Sequence, residues 1–188
     1  MTMANSSKIL DKKSAAEKAI ELYEQFFNID EALDSSQFIT DLDKIIEALG
    51  IKLLEGNLND IFADDPEVDT EEQIAGFLYK EASGYMIAVN DQDALTRQRF
   101  TVAHEIGHLV LNHLEGDEAH SIFRNGVTTT GTDPREIAAN AFAAELLMPE
   151  RLFKRGFFLS DDSSELAMRF AVSLEATHVR LRNLGMIW

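Results

Sequence analysis

The chain has no cysteine, only three prolines and a single tryptophan among its 188 residues. Without thiols it can form neither a disulfide nor a thiolate metal site, and such a composition is compatible with a reducing cytoplasm. No apolar run approaches the roughly 18 residues that suggest a membrane span. The N-terminus, MTMANSSKILDKKSAAEKA, holds no apolar core of signal-peptide length. Basic residues are scarce: 17 Lys and Arg stand against 33 Asp and Glu, for a net charge of −16. A molecule of that charge repels nucleic acid as a whole. These absences describe a soluble, cytoplasmic protein that uses no membrane and is not expected to bind nucleic acid directly.

What is present is a core. Hydrophobic residues make up 45% of the chain, enough for one globular domain. We place that domain at residues 14–188, behind a polar, disordered tail at residues 1–13. Residues 60–72, DIFADDPEVDTEE, carry seven acids and no base. This run reads first as a solvated loop, and alternatively as a docking surface for a basic partner such as a DNA-binding protein.

Ala16, Ile20, Tyr23 and Phe27 repeat at helical spacing. Asp34, Ser35 and Ser36 offer an N-cap for a second helix with Phe38, Leu42, Ile45, Ile46 and Leu49 on one stripe, stopped by Gly50. IKLLEG follows as a short strand. Residues 74–90 read as a hairpin turning at Ala82, Ser83 and Gly84. A long helix is expected from about residue 93 to 113. Its apolar residues cover nearly every side, so it is buried, and its polar residues need a reason. Residues 115–134 lack periodicity. A further helix opens at Asp133-Pro134, with proline at its first position, and runs to Pro149. A short helix at residues 150–155 and a helical pair at residues 164–187 complete the chain.

The stretch TVAHEIGHLVLNH carries the chemistry. His104 and His108 are four apart, which puts both imidazoles on one helical face within reach of one ion. Glu105 flanks that face, where a carboxylate can take a proton from an attacking water and pass it to the leaving amine. This is H-E-x-x-H logic, and zinc suits such ligands. A third ligand is needed. Glu136, near the start of the next long helix, is the first candidate, with Asn140 one turn on as an acceptor for the free N–H of a ligating histidine. Two alternatives stand beside it: Glu136 as the far member of a capping box begun by Asp133, and Glu145 as the ligand instead. His113 lies five residues past His108, off the face, and reads as solvated. The same holds for His120 in the loop, and His178 reads as a surface residue.

RQRFTVAHEIGHLVLNH together with REIAANAFAAELLMP resembles the ImmA/IrrE family of zinc metallopeptidases. The matching residues are Arg97, Arg99 and Phe100; Ala103, His104, Glu105, Gly107 and His108; and Glu136, Ala139, Asn140, Phe142, Ala143, Leu146, Leu147, Met148 and Pro149. The resemblance covers about residues 70–185. It implies an α+β, zincin-like fold with an active-site helix, a small sheet with a β-hairpin, N-terminal helices and a C-terminal helical pair. It also implies Zn2+ on His104, His108 and Glu136, with Glu105 catalytic. Family members act on helix-turn-helix transcriptional repressors, so the implied substrate is a DNA-binding repressor whose cleavage switches on a phage, mobile-element or stress regulon. The alternative is a non-proteolytic regulator that sequesters a repressor or antitoxin on the same scaffold.

A zincin commonly holds its peptide beside a sheet edge. On this reading Ile87, Val89 and Asn90 form that edge. Tyr85, Arg97, Arg99 and His120 compete as oxyanion stabiliser, and nothing in the sequence chooses among them. Residues 165–187 resemble a helix-turn-helix, with Ala171 where the turn usually has glycine and with Arg180 and Arg182 on the second helix. The net charge argues against DNA contact. Contact with the repressor, or packing on the core, fits better.

Overall fold

The computed structural model describes residues 11–35, 38–61, 74–81, 84–114, 120–124 and 133–187. Most of the acidic run, the Ala82-Ser83 turn and most of the irregular stretch at residues 115–134 lie outside them, as do residues 1–10 of the tail. The described residues form an α+β fold of nine helices and one four-stranded sheet.

Helix α1 (Lys12–Phe26) starts inside the stretch expected to be a disordered tail, residues 1–13, because the Asp11 side chain accepts from the Ser14 amide at 2.9 Å and caps it. Its fully buried positions are Ala15 and Ala19. The stripe of Ala16, Ile20, Tyr23 and Phe27 only partly marks the contact line, since the small alanines sit where α1 meets a neighbouring helix most closely.

A short α2 (Ile29–Ala32) follows, and then α3 (Leu42–Ala48), capped by Asp41. The N-cap is therefore not in the Asp34–Ser36 stretch, and Phe38 is not helical. Tertiary demands take over from propensity here. Phe38 is buried against Phe170, with ring centroids 5.1 Å apart, and its amide donates to Arg169 O at 2.9 Å. Thr40 Oγ1 donates to Leu146 O, and Arg99 donates to Thr40 O at 2.8 Å. The segment is a strap held by three elements, and a helix would break those bonds.

Strand β1 (Ile51–Gly56) leads to a short α4 (Leu58–Ile61), then to β2 (Ile74–Glu81) and β3 (Gly84–Asn90). With β4 (His120–Arg124) the sheet order is β1-β3-β2-β4. β1 pairs parallel to β3, and the other pairings are antiparallel. This corrects the expectation for Ile87, Val89 and Asn90. β3 is an inner strand, hydrogen-bonded on both sides, and all three residues are buried. Asn90 donates to Ile74 O at 2.8 Å and to Asn59 Oδ1 at 3.1 Å, which ties α4 to the sheet.

Helix α5 (Leu95–Val110) lies on one face of the sheet, and α6 (Pro134–Leu147) packs between α5 and α1. Two glycines set the spacing. A Cβ at Gly76 would sit 2.4 Å from Thr101 Cγ2, and one at Gly107 would sit 3.1 Å from Phe142 Cδ1 and 3.3 Å from Ala139 O. The sheet and α6 thus close on α5 where side chains are missing. Beyond them come α7 (Glu150–Leu159), α8 (Ser163–Phe170) and α9 (Leu174–Asn183). Ala171 between the last two has φ 50° and ψ 48°, a left-handed conformation that an L-residue adopts at a cost. No helix among the described residues is long and apolar enough to cross a membrane.

Candidate metal centre

Every residue of α5 from Thr101 to His108 is buried. His104 and His108 project from it one turn apart, with their Nε2 atoms 3.0 Å from each other. The close approach at Gly107 brings the first turns of α6 over them. Glu136 then reaches both rings: Oε2 lies 3.2 Å from His104 Nε2, and Oε1 lies 3.1 Å from His108 Nε2. Asp133 caps α6 through the Arg135 amide at 2.8 Å. Glu136 therefore faces the histidines, where a capping box would send it back to the N-cap.

One ligand atom from each of His104, His108 and Glu136 lies within 4.8 Å of the others. Atoms bound tetrahedrally to one zinc at about 2.0–2.1 Å stand about 3.3 Å apart, close to the separations seen here. The donor chemistry also fits a cation. His104 Nδ1 meets Asn140 Oδ1 at 3.0 Å, an acceptor that assigns the ring proton to Nδ1 and leaves a lone pair on Nε2. That lone pair, His108 Nε2 and a carboxylate converge. A proton on His108 Nε2 could serve only one of its two neighbours, whereas a dication serves all three. Burial, together with the His108 neighbour, holds His104 below its ordinary value against the pull of Glu136 and Asn140. Burial would raise Glu136, but the two imidazoles more than offset it and hold the carboxyl well below the usual range.

Glu105 is fully buried, and neither of its carboxylate oxygens has a hydrogen-bond partner among the described residues. Burial pushes its carboxyl well above the ordinary value, and the charge of Glu136 adds to the shift. An unpartnered buried carboxylate is costly, and this one sits beside a triad suited to a dication.

Two other sequence readings change. His113 is buried, and its Nδ1 lies 3.2 Å from His108 Nδ1. Burial pulls its imidazole down to about 4, so it is neutral at pH 7. Glu145 is paired elsewhere: Oε1 accepts from the Glu150 amide at 2.9 Å and Oε2 from Arg180. Arg180, on the second helix of the C-terminal pair, is buried against Glu145 and also donates to Met148 O at 2.9 Å, which agrees with the core-packing reading of that helix. Two of the oxyanion candidates are engaged as well. Arg97 Nε pairs with Asp93 at 3.1 Å, and Arg99 bonds Thr40 O in the strap. Tyr85 packs at the core margin, and His178 is partly buried. The side chain of His120 lies outside the described residues.

The family model Peptidase_M78, the IrrE N-terminal-like domain, matches residues 47–182. An uncharacterized immunity region protein 2 of Bacillus phage phi105 is 29% identical over 111 residues, 57% of this chain and 66% of the relative. A solved Mycobacterium tuberculosis transcriptional regulator superposes with a TM-score of 0.45 at 17% identity, over 92% of this chain and 52% of the other. The chain thus spans just under two thirds of the phage relative and about half of the mycobacterial protein.

Proposed function

The chain belongs to the Peptidase_M78 family of IrrE N-terminal-like domains, and from that footing we propose that it is a zinc-dependent endopeptidase that cleaves a helix-turn-helix transcriptional repressor. The observation that carries this reading is Glu105. A binding module has no use for a buried carboxylate with two free oxygens beside a three-ligand centre, whereas a hydrolase needs one.

His104, His108 and Glu136 would hold the ion, with Asn140 keeping the His104 ring in its tautomer. Bound zinc supplies a Lewis acid for the scissile carbonyl and lowers the pKa of a water toward about 7. Glu105 takes a proton from the attacking water onto a carboxylate oxygen and delivers it to the departing amine nitrogen. The dry, apolar surround of α5 strengthens each of these electrostatic contacts. With β3 inside the sheet, the peptide would lie along one of the two outer strands, β1 or β4, beyond which no strand stands among the described residues. An extended substrate there would gain main-chain hydrogen bonds.

Two observations support a repressor as substrate. The phage relative takes its name from an immunity region, and a chain of net charge −16 attracts a basic, DNA-binding partner. Recognition of DNA by this chain itself loses support, because Arg180 is buried in an ion pair.

The test is a comparison of new protein N-termini in the source cells, wild type against Glu105→Gln. The expected result is one repressor-derived terminus that appears only with wild type. If the variant still relieves repression while binding zinc, proteolysis is not the mechanism, and sequestration of the repressor takes its place.

A further inference from the structure

Helix α5 ends by reversing on itself. Asn112 has φ 55°, the left-handed conformation. The His113 amide donates to His108 O at 2.9 Å, and the Asn112 amide to Leu109 O at 3.1 Å. These are the two bonds of a Schellman cap. In that motif the residue after the left-handed position folds back over the residue five before it, and the two side chains usually make an apolar contact. Here they are two histidines. Their rings lie 5.0 Å apart at 75°, edge to face, with Nδ1 to Nδ1 at 3.2 Å.

Resting on the metal-centre reading above, we infer that His113 is a positioning residue for the centre: its Nδ1 lone pair accepts the Nδ1–H of His108 and so turns the His108 Nε2 lone pair toward Glu136 and His104. The bond has a geometric consequence. Nδ1 of His113 has one lone pair or one proton, never both, so accepting from His108 puts the His113 proton on Nε2. That atom is buried without a hydrogen-bond partner among the described residues, so none of them competes for the ring's orientation. The two ligand histidines are then held alike, His104 by an amide oxygen from α6 and His108 by an imidazole from its own helix cap. The left-handed residue Asn112 is what lets a helix terminus supply that second support.

The experiment uses the full chain and zinc, with affinity read by competition against a chromophoric chelator. His113→Phe keeps a ring and removes the acceptor. His113→Asn places an amide oxygen where Nδ1 stands. The expected result is zinc affinity about 10–100-fold weaker for His113→Phe, within a few-fold of wild type for His113→Asn, and similar melting of the metal-free variants. A merely apolar packing role predicts the reverse order, with Phe tolerated and Asn not. Equal affinity of His113→Phe and wild type overturns the inference and leaves the metal centre standing, whereas a wild-type chain that takes up no zinc overturns both. One readout needs no variant. In the zinc-loaded protein the His108 Nδ1–H should resonate downfield and exchange slowly, and fast exchange of that proton overturns the assignment.

Discussion

Helix α6 carries two buried or half-buried acids about two and a half turns apart, and they are treated in opposite ways. Glu145 meets a cation of the chain itself: Arg180 comes in from α9, and the Glu150 amide takes the other oxygen. Among the described residues Glu136 meets only imidazole nitrogens from α5, and nearby Glu105 has no partner. One cluster is electrically complete. The other gathers acceptors and, on the proposed reading, takes its charge from a bound ion. In one helix, then, a buried acid paired with an arginine marks architecture, and an acid set against two imidazoles marks the candidate centre.

The comparison breaks most visibly when each acid is removed. Glu136→Ala is expected to take zinc from stoichiometric to little or none, by elemental mass spectrometry, with the fold retained. Glu145→Ala is expected to keep its zinc and to lose roughly 3–5 kcal/mol of stability in denaturant, because Arg180 is left buried and uncompensated. Zinc lost from Glu145→Ala and kept by Glu136→Ala would exchange the two roles.

A smaller effect separates function from stability at Glu105. Its folded carboxyl lies above the ordinary 4.5, so the folded state holds that proton to higher pH than the unfolded state does. The stability this contributes is full below about that ordinary value and is lost as pH rises through the folded one. Metal-free Glu105→Gln should therefore outlast wild type in urea at neutral pH by roughly 2 kcal/mol, with the gap closing toward pH 4. A gap that is constant with pH would mean that Glu105 does not titrate in the folded chain.

Gly107→Ala probes the spacing that lets α6 reach the histidines. The added methyl meets Phe142 and Ala139 O at 3.1–3.3 Å, and overpacking of this kind costs about 1–3 kcal/mol. Because it pushes α6 off α5, zinc should weaken with it. Stability lost without any change in zinc affinity would show that the centre tolerates the shift. The smallest expected effect lies far from the centre. Ala171→Gly relieves a left-handed alanine and should raise the melting midpoint by the equivalent of about 1 kcal/mol. A lower midpoint would mean that the alanine methyl packs more favourably than its backbone is strained.

Much of the centre could be read before folding was considered. His104, Glu105 and His108 share one helix, and their relation follows from 3.6 residues per turn. The hairpin, the strand IKLLEG and the proline-led start of α6 are equally local, and each stands where its residues indicated. The misses share a different cause. His113 looked to point away because an unbroken helix would send it off the face, yet α5 stops at Val110 and the chain turns back. β3 looked like an edge because its hairpin partner is adjacent in sequence, whereas β1 pairs with it from some thirty residues earlier. For Arg180 the residue order left repressor contact and core packing both open, and only the fold sets an acid 35 residues away against it.

The division follows from how the two kinds of order are encoded. Periodicity, caps and turn residues act within a few positions, so the residue order alone places two imidazoles and a carboxylate along one stretch of helix. Whether they form a centre depends on contacts that no local rule contains. Gly107 admits α6, α6 carries Glu136 and Asn140 to the rings, and a reversal at Asn112 returns His113 to His108. Those contacts are chosen by the burial of the whole core at once, and tertiary packing alone decides which buried acid finds a cation in the chain and which faces two imidazoles instead.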